Sequence, residues 1–96
     1  MFRMIMSFGD KDTEKLFITG KSRRLPSTIT KVALRKLDYL NRAKTLQDLE
    51  VPPGNRLEAL KGALKGKYSI RINDQFRVVF GFSSGEASEV KVTDYH

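Results

Sequence analysis

The side chains best suited to chemistry gather toward the C-terminus, in YSIRINDQFRVVFGF (Tyr68 to Phe82) and VKVTDYH (Val90 to His96). They include Arg71, Arg77, Lys91, Thr93, Asp94, Tyr95 and His96. Guanidinium and ammonium groups grip phosphoryl oxygens through charge-assisted hydrogen bonds. An imidazole, with an unperturbed pKa of about 6.5, exchanges a proton near neutral pH. Such a set suits phosphate chemistry assisted by proton transfer. Other chemistries find less support. One histidine and no cysteine make no zinc site, and Asp10, Glu14, Asp48 and Asp94 lack a metal-binding spacing. GALKGKY is no phosphate loop, because Gly62 and Gly66 stand one position too close and Tyr68 replaces the magnesium-binding hydroxyl. No Gly-x-Ser-x-Gly elbow occurs. Neither a metal nor a cofactor is expected.

Strand alternation decides which of these groups share a face. Tyr68, Ile70, Ile72, Phe76, Val78, Phe80 and Phe82 are apolar and even-numbered, whereas Ser69, Arg71 and Arg77 are odd. A two-residue turn would split the apolar set between both faces of the sheet. A three-residue loop, Asn73-Asp74-Gln75, keeps it together by pairing Ile70 with Val78, and so sets Arg71 across from Arg77. Facing like charges destabilise a sheet unless an anion, an acidic side chain or water lies between them. A second loop at Ser84-Gly85-Glu86 would pair Val90 with Phe80 and Val92 with Val78, leaving Lys91, Thr93 and Tyr95 on the arginine face. The alternatives for that face are a phosphate site and an ordinary solvated sheet surface.

The elements that must position this face fit one domain over residues 1–96, with a core held by packing alone, since there is no cysteine to cross-link it. Absence of disulfides suits a reducing compartment, so the cytoplasm is expected. No apolar run approaches the ~18 residues of a membrane span, and the opening MFRMIMSFGDK reads as a first strand. Asp10 caps a helix to about Thr19, closed by Gly20; Ser27 caps a longer one to about Ala43 with a stripe of Ile29, Val32, Ala33, Leu37 and Leu40. Lys31, Arg35, Lys36 and Arg42 lie off that stripe and read first as a solvated face. LEVPPGN interrupts regular structure, and strands follow at 56–61, 67–73, 76–83 and 87–95. The fold class is therefore α+β: a small antiparallel sheet with two N-terminal helices packed on one face. The formal charge of +7 favours polyanionic partners and names no reaction.

YSIRINDQFRVVF, the closing VTDYH, LKG at residues 60–62 and the opening MIMSF resemble the HigB branch of the RelE-like toxins, as do NRLEAL and DTEKLF. The resemblance runs over nearly the whole chain from Met4 onward. It implies a RelE-like fold and the toxin of a type II toxin–antitoxin system, a ribosome-dependent mRNA interferase that inhibits translation and growth. It also implies a cognate HigA-like antitoxin with a helix-turn-helix domain, and operator DNA reached only through the antitoxin complex. The family pattern points to Lys61, Arg77, Tyr95 and His96 as the catalytic set, with Asp94 beside them. Arg71 and Lys91, on the same expected face, would contact RNA, and Arg23, Arg24, Lys31 and Arg35 would meet ribosomal RNA phosphates. Two departures stand out: Glu58 where many relatives have a histidine, which reopens the identity of the proton-transfer group, and Phe76 in place of a frequent tryptophan. A non-catalytic RNA- or ribosome-binding module and a pure interaction protein are the rival functions.

Overall fold

The computed structural model describes residues 5–94. Helix α1 spans Lys11–Thr19 and α2 spans Ser27–Arg42. They precede strands β1 (Glu58–Ala59), β2 (Lys67–Arg71), β3 (Phe76–Ser83) and β4 (Glu86–Asp94), joined in that order into one sheet. Each neighbouring pair is antiparallel. Short 3₁₀ turns at Leu46–Glu50, Pro53–Asn55 and Gly62–Leu64 fill the connections. No helix among the described residues is long and apolar enough to cross a membrane.

α1 begins as expected, with the Asp10 carboxylate accepting from the Thr13 amide at 2.8 Å. It ends at Gly20, whose left-handed φ of 77° lets its N–H donate to the Leu16 carbonyl. α2 starts differently. Pro26 occupies the cap position with no side-chain cap, and the expected cap, Ser27, is already the first helical residue. The fixed φ of proline sets the entry angle, and the Pro26 carbonyl accepts the first amides, from Ile29 and Thr30.

Leu16 of α1 and Ala33, Leu37 and Leu40 of α2 pack with Ile70, Val78, Phe80, Val90 and Val92, so both helices cover the even-numbered face of the sheet. Burying each such aliphatic or aromatic side chain contributes about 1.5–3 kcal/mol. Phe80 is fully buried, and truncating it to alanine would cost about 3–5 kcal/mol.

The β2–β3 hairpin has the three-residue loop that parity demands, with Ile70 paired to Val78 and Arg71 to Arg77. Asn73 shapes it, its side-chain oxygen accepting from the amides of Gln75 at 2.9 Å and Phe76 at 2.7 Å. The next connection corrects the expectation. Ser83 pairs with Glu86 around a two-residue turn, Ser84-Gly85, with φ of 52° and 77°, the positive values that a type I′ turn requires. The residue missing from the loop reappears as a bulge at Glu89, whose φ is 51°, where the register shifts between Val79 and Gly81. Beyond the bulge Val78 pairs with Val92 and Arg77 with Thr93, as expected.

The strand expected at 56–61 shrinks to Glu58–Ala59. Arg56 sits in the left-handed region at φ 46°, closing the Pro53–Asn55 turn, so extended backbone cannot start earlier. Of the expected first strand, residues 1–4 lie outside the described residues, and the described part forms isolated parallel bridges, Ile5 to Ala87 and Phe8 to Val90, along β4.

Candidate active site

Arg77 is held by protein partners on several sides. Its Nε donates to the Ser69 hydroxyl at 2.9 Å and its Nη2 to the Arg56 carbonyl at 2.8 Å. The Glu58 carboxylate lies 3.7 Å from the same Nη2. Glu58 and Ser69 are direct partners across β1 and β2, so three adjacent strands deliver the cluster. Only 12% of the Arg77 side chain is exposed, against 52% for Glu58. The guanidinium therefore lies against the sheet on protein acceptors rather than reaching into solvent. Arg56, Leu57, Glu58 and Arg77 line an open groove of about 460 Å³.

Arg71, across the hairpin from Arg77, forms an ion pair with Asp74 in the loop. Thr93 stands opposite Arg77 on β4, and exposed Lys91 pairs with Val79 on the same face. Lys91, Thr93, Val79, Leu64 and the Lys67–Glu89 ion pair, closed at 3.2 Å, border a second groove of about 280 Å³. Asp94 stands apart from these. It pairs with Phe76, and alternation puts it on the opposite face from Arg77. Its carboxylate accepts from Gln75 Nε2 at 3.0 Å.

Lys61 is exposed at the start of the Gly62–Leu64 turn. The Leu60 amide bonds the Lys67 carbonyl. Lys61 thus lies beyond the row of Lys67, which is roughly 13 Å along β2 from the row of Arg71 and Arg77 at ~3.3 Å per residue. The structure does not set the Lys61 backbone beside Arg77. Tyr95 and His96 lie outside the described residues.

The basic residues of the first half divide by environment. Arg23, Lys31 and Arg35 are exposed. Arg24, expected at RNA, is tied down: its Nη2 donates to the Val92 carbonyl at 2.7 Å, and Asp10 and Asp12 lie 3.5 and 3.6 Å away. It holds the loop after α1 to β4.

Lys36 reverses its expected place. It is 6% exposed, and its Nζ donates to the side-chain oxygen of buried Asn55 at 2.6 Å. The ammonium also lies 5.6 Å from the centre of the Tyr39 ring. Burial, with the positive charges of Arg35 and then Arg71, holds its pKa below the ordinary 10.5. The spacing carried a signal for this. Lys36 stands three residues after Ala33 and four before Leu40, inside the apolar stripe. Ser69 also escaped notice, since a buried serine in a strand announces itself only through its partner. Asp48 is exposed and unrelated to the site. The amides of Lys44 and Thr45 that its carboxylate accepts hold its pKa below the usual carboxylate range. Among the described residues no group of three acidic or histidine side chains converges to hold a metal ion.

Residues 6–96 match the family described as HigB-like toxin, the RelE-like toxin of the type II toxin–antitoxin system HigB. Toxin HigB-1 of Vibrio cholerae is 45% identical over 85 residues, covering 88% of this chain and 90% of that protein. Endoribonuclease HigB of Proteus vulgaris is 29% identical over 93 residues, covering 97% of this chain and all of that protein, a full 100%. Among solved structures, the YoeB–YefM complex of Staphylococcus aureus aligns with a TM-score of 0.55 at 19% identity, covering 96% of this chain and 97% of that one. That likeness shows the RelE-like fold.

Proposed function

The chain belongs to the HigB-like family of RelE-like toxins of type II toxin–antitoxin systems, and on that premise we propose that it is an endoribonuclease that cleaves mRNA on the ribosome. The activity named for the Proteus vulgaris relative supports the reaction class. The observation that carries the reading is the Arg77 guanidinium, oriented by Ser69 and the Arg56 carbonyl at the wall of an open groove.

The reaction is attack of an RNA 2′-hydroxyl on its neighbouring phosphorus. The 2′-oxygen–phosphorus bond forms, the bond to the 5′-oxygen breaks, and the products are a 2′,3′-cyclic phosphate and a 5′-hydroxyl. One group takes the 2′-proton and another returns a proton to the leaving oxygen. Charge that builds on the phosphoryl oxygens meets Arg77, which needs little reorganisation because protein acceptors already fix it. The exposed Glu58 carboxylate beside Arg77 is one candidate for proton transfer, and His96 is the other. Tyr95 would stack on a base or orient the phosphate. Lys61, Arg71 and Lys91 would hold the strand on either side, with Asp94 at the end of β4.

An open groove holds a flexible strand loosely, so alignment of the 2′-hydroxyl with the leaving oxygen would come from the ribosome. Exposed Arg23, Lys31 and Arg35 supply phosphate contacts for that frame. Arg24, occupied by Val92, Asp10 and Asp12, would contribute less. Neutralisation falls to a HigA-like antitoxin whose helix-turn-helix domain would bind operator DNA on behalf of the complex. The known YoeB–YefM assemblies, which are toxin–antitoxin complexes, support an antitoxin partner.

The test is cleavage of mRNA in programmed ribosomes by purified protein, with product ends mapped. Cyclic phosphate and 5′-hydroxyl ends are expected. Binding to ribosomes with intact mRNA would favour the non-catalytic module instead.

A further inference from the structure

We propose that Lys36 and Asn55 form a buried positioning pair that fixes the Arg56 carbonyl, and through it the Arg77 guanidinium, in the groove. The inference rests on the reading of Arg77 as the group that meets the scissile phosphate.

Lys36 is the buried cation of the described residues: exposed by 6%, it forms no ion pair among them and meets instead a neutral amide. An apolar residue of the same length would fill that place at less desolvation cost. What the ammonium adds is direction. It donates to Asn55 Oδ1 at 2.6 Å, while Asn55 Nδ2 donates to the carbonyls of Leu49 at 3.1 Å and Val51 at 3.4 Å. Lysine can only donate and carbonyls can only accept, so the Asn55 amide has one orientation that satisfies every partner. A fully buried Asn55 thereby ties the segment 49–55 to α2.

The next residue is Arg56, held at φ 46° with its N–H on the Pro53 carbonyl at 3.1 Å. Its own carbonyl is the Arg77 acceptor at 2.8 Å. Glu58 follows two positions later, 3.7 Å from the same guanidinium nitrogen. A continuous chain of contacts therefore runs from the middle of α2, through Asn55 and the Arg56 peptide, to the groove. Without the ammonium, the Asn55 oxygen loses its donor and segment 49–58 loosens. The guanidinium then has Glu58 as a competing partner, and the Arg77 donors lose their aim. Lys36 touches no substrate in this scheme; it is a positioning residue.

The test compares wild type with Lys36→Met, Asn55→Ala and the double variant. Lys36→Met keeps the stem that packs in the core and removes the charge. Single-turnover cleavage in programmed ribosomes gives a saturating rate and a half-saturating toxin concentration. The expected result is a saturating rate lower by about tenfold or more, since misplacement of an ångström is that costly, with the half-saturating concentration unchanged. The double variant should lose no more than the worse single one. The Arg77 Nε–H resonance, followed by ¹⁵N NMR on the free toxin, should shift or broaden in Lys36→Met, a change that mere loss of folded protein does not produce. If Lys36→Met fails to fold, Asn55→Ala, which breaks the same hydrogen bond from its other side, carries the same measurements. An unmoved Arg77 resonance, or a full cleavage rate in a folded variant, overturns the inference. Wild-type protein that does not cleave at all overturns the endoribonuclease reading instead, while the resonance still reports whether Lys36 and Arg77 are coupled.

Discussion

Arg71 and Arg77 are paired residues of one hairpin, and their like charges are kept apart because each guanidinium is drawn to a carboxylate of its own. Arg71 takes Asp74 from the loop that joins the two strands. Arg77 takes Ser69, the Arg56 carbonyl and, at 3.7 Å, Glu58 from β1. The repulsion that alternation exposes in the sequence is thus relieved within the chain. Both acids are more exposed than the arginines they serve, at 96% and 52%, so water reaches the carboxylate side of each pair.

The outer pair tests how much of that relief is stability. Asp74→Asn removes the charge and keeps the shape of the loop. The effect expected is a loss of under about 1 kcal/mol, typical of an exposed ion pair, smaller again at high salt. Urea unfolding at two salt concentrations measures it. A larger, salt-independent loss would show that the loop geometry, not the charge, depends on Asp74.

Arg77→Ala should abolish growth inhibition, and its low exposure adds a second consequence. The Arg56 carbonyl and the buried Ser69 hydroxyl lose their donor, so stability should fall by about 1–3 kcal/mol. Arg77→Lys restores charge without the planar fork that serves both acceptors, and should recover stability poorly and toxicity in part at most. Growth assays paired with urea unfolding separate the two effects. A folded Arg77→Ala protein with full toxicity would remove Arg77 from the reaction.

The hairpin that carries these arginines was legible because its apolar residues all share one parity, and only an odd-numbered loop keeps them on one face. The following hairpin was legible in its result and not in its route. A two-residue turn plus one bulged residue, Glu89, shifts the register as much as a three-residue loop would, and both leave Val92 opposite Val78. Alternation counts residues and cannot tell where the extra one sits. The burial of Lys36 runs against the rule that assigns a charged residue to solvent by its type, although its spacing places it among Ala33, Leu37 and Leu40. Arg24, expected at ribosomal RNA phosphates, is bonded instead to a strand carbonyl.

Lys36 also makes stability depend on pH in a direction that can be stated. Its folded pKa lies below the unfolded value of 10.5, from burial first and then from Arg35 and Arg71. Between those two values the unfolded chain binds more protons, so this residue makes stability rise as pH climbs from the folded pKa toward 10.5. Arg35, from its own helix, and Arg71, from the sheet, stay charged throughout, so they do not reverse the trend. Measured by urea midpoints, the stability of wild type relative to Lys36→Met should therefore rise with pH across the alkaline range. A pH-independent difference would mean that Lys36 keeps an ordinary pKa.

The C-terminal pair separates proton transfer from positioning. If His96 exchanges a proton with the RNA and Tyr95 orients it, deleting both should cut cleavage on programmed ribosomes by at least about a hundredfold, the lower bound for losing acid–base assistance. Ribosome binding should persist, because Arg23, Lys31 and Arg35 remain exposed for phosphate contact, and cosedimentation checks it. The wild-type rate should bend near pH ~6.5, where an unperturbed imidazole titrates, and the truncated protein should lack that bend. The deletion leaves Arg77, Ser69 and Arg56 in the chain, so residual cleavage reports what electrostatic stabilisation achieves without the terminal pair. Near-normal cleavage by the truncated protein, with the bend retained, would take His96 out of the reaction. The role would then pass to Glu58, which already lies 3.7 Å from Arg77, and Glu58→Gln would become the decisive variant.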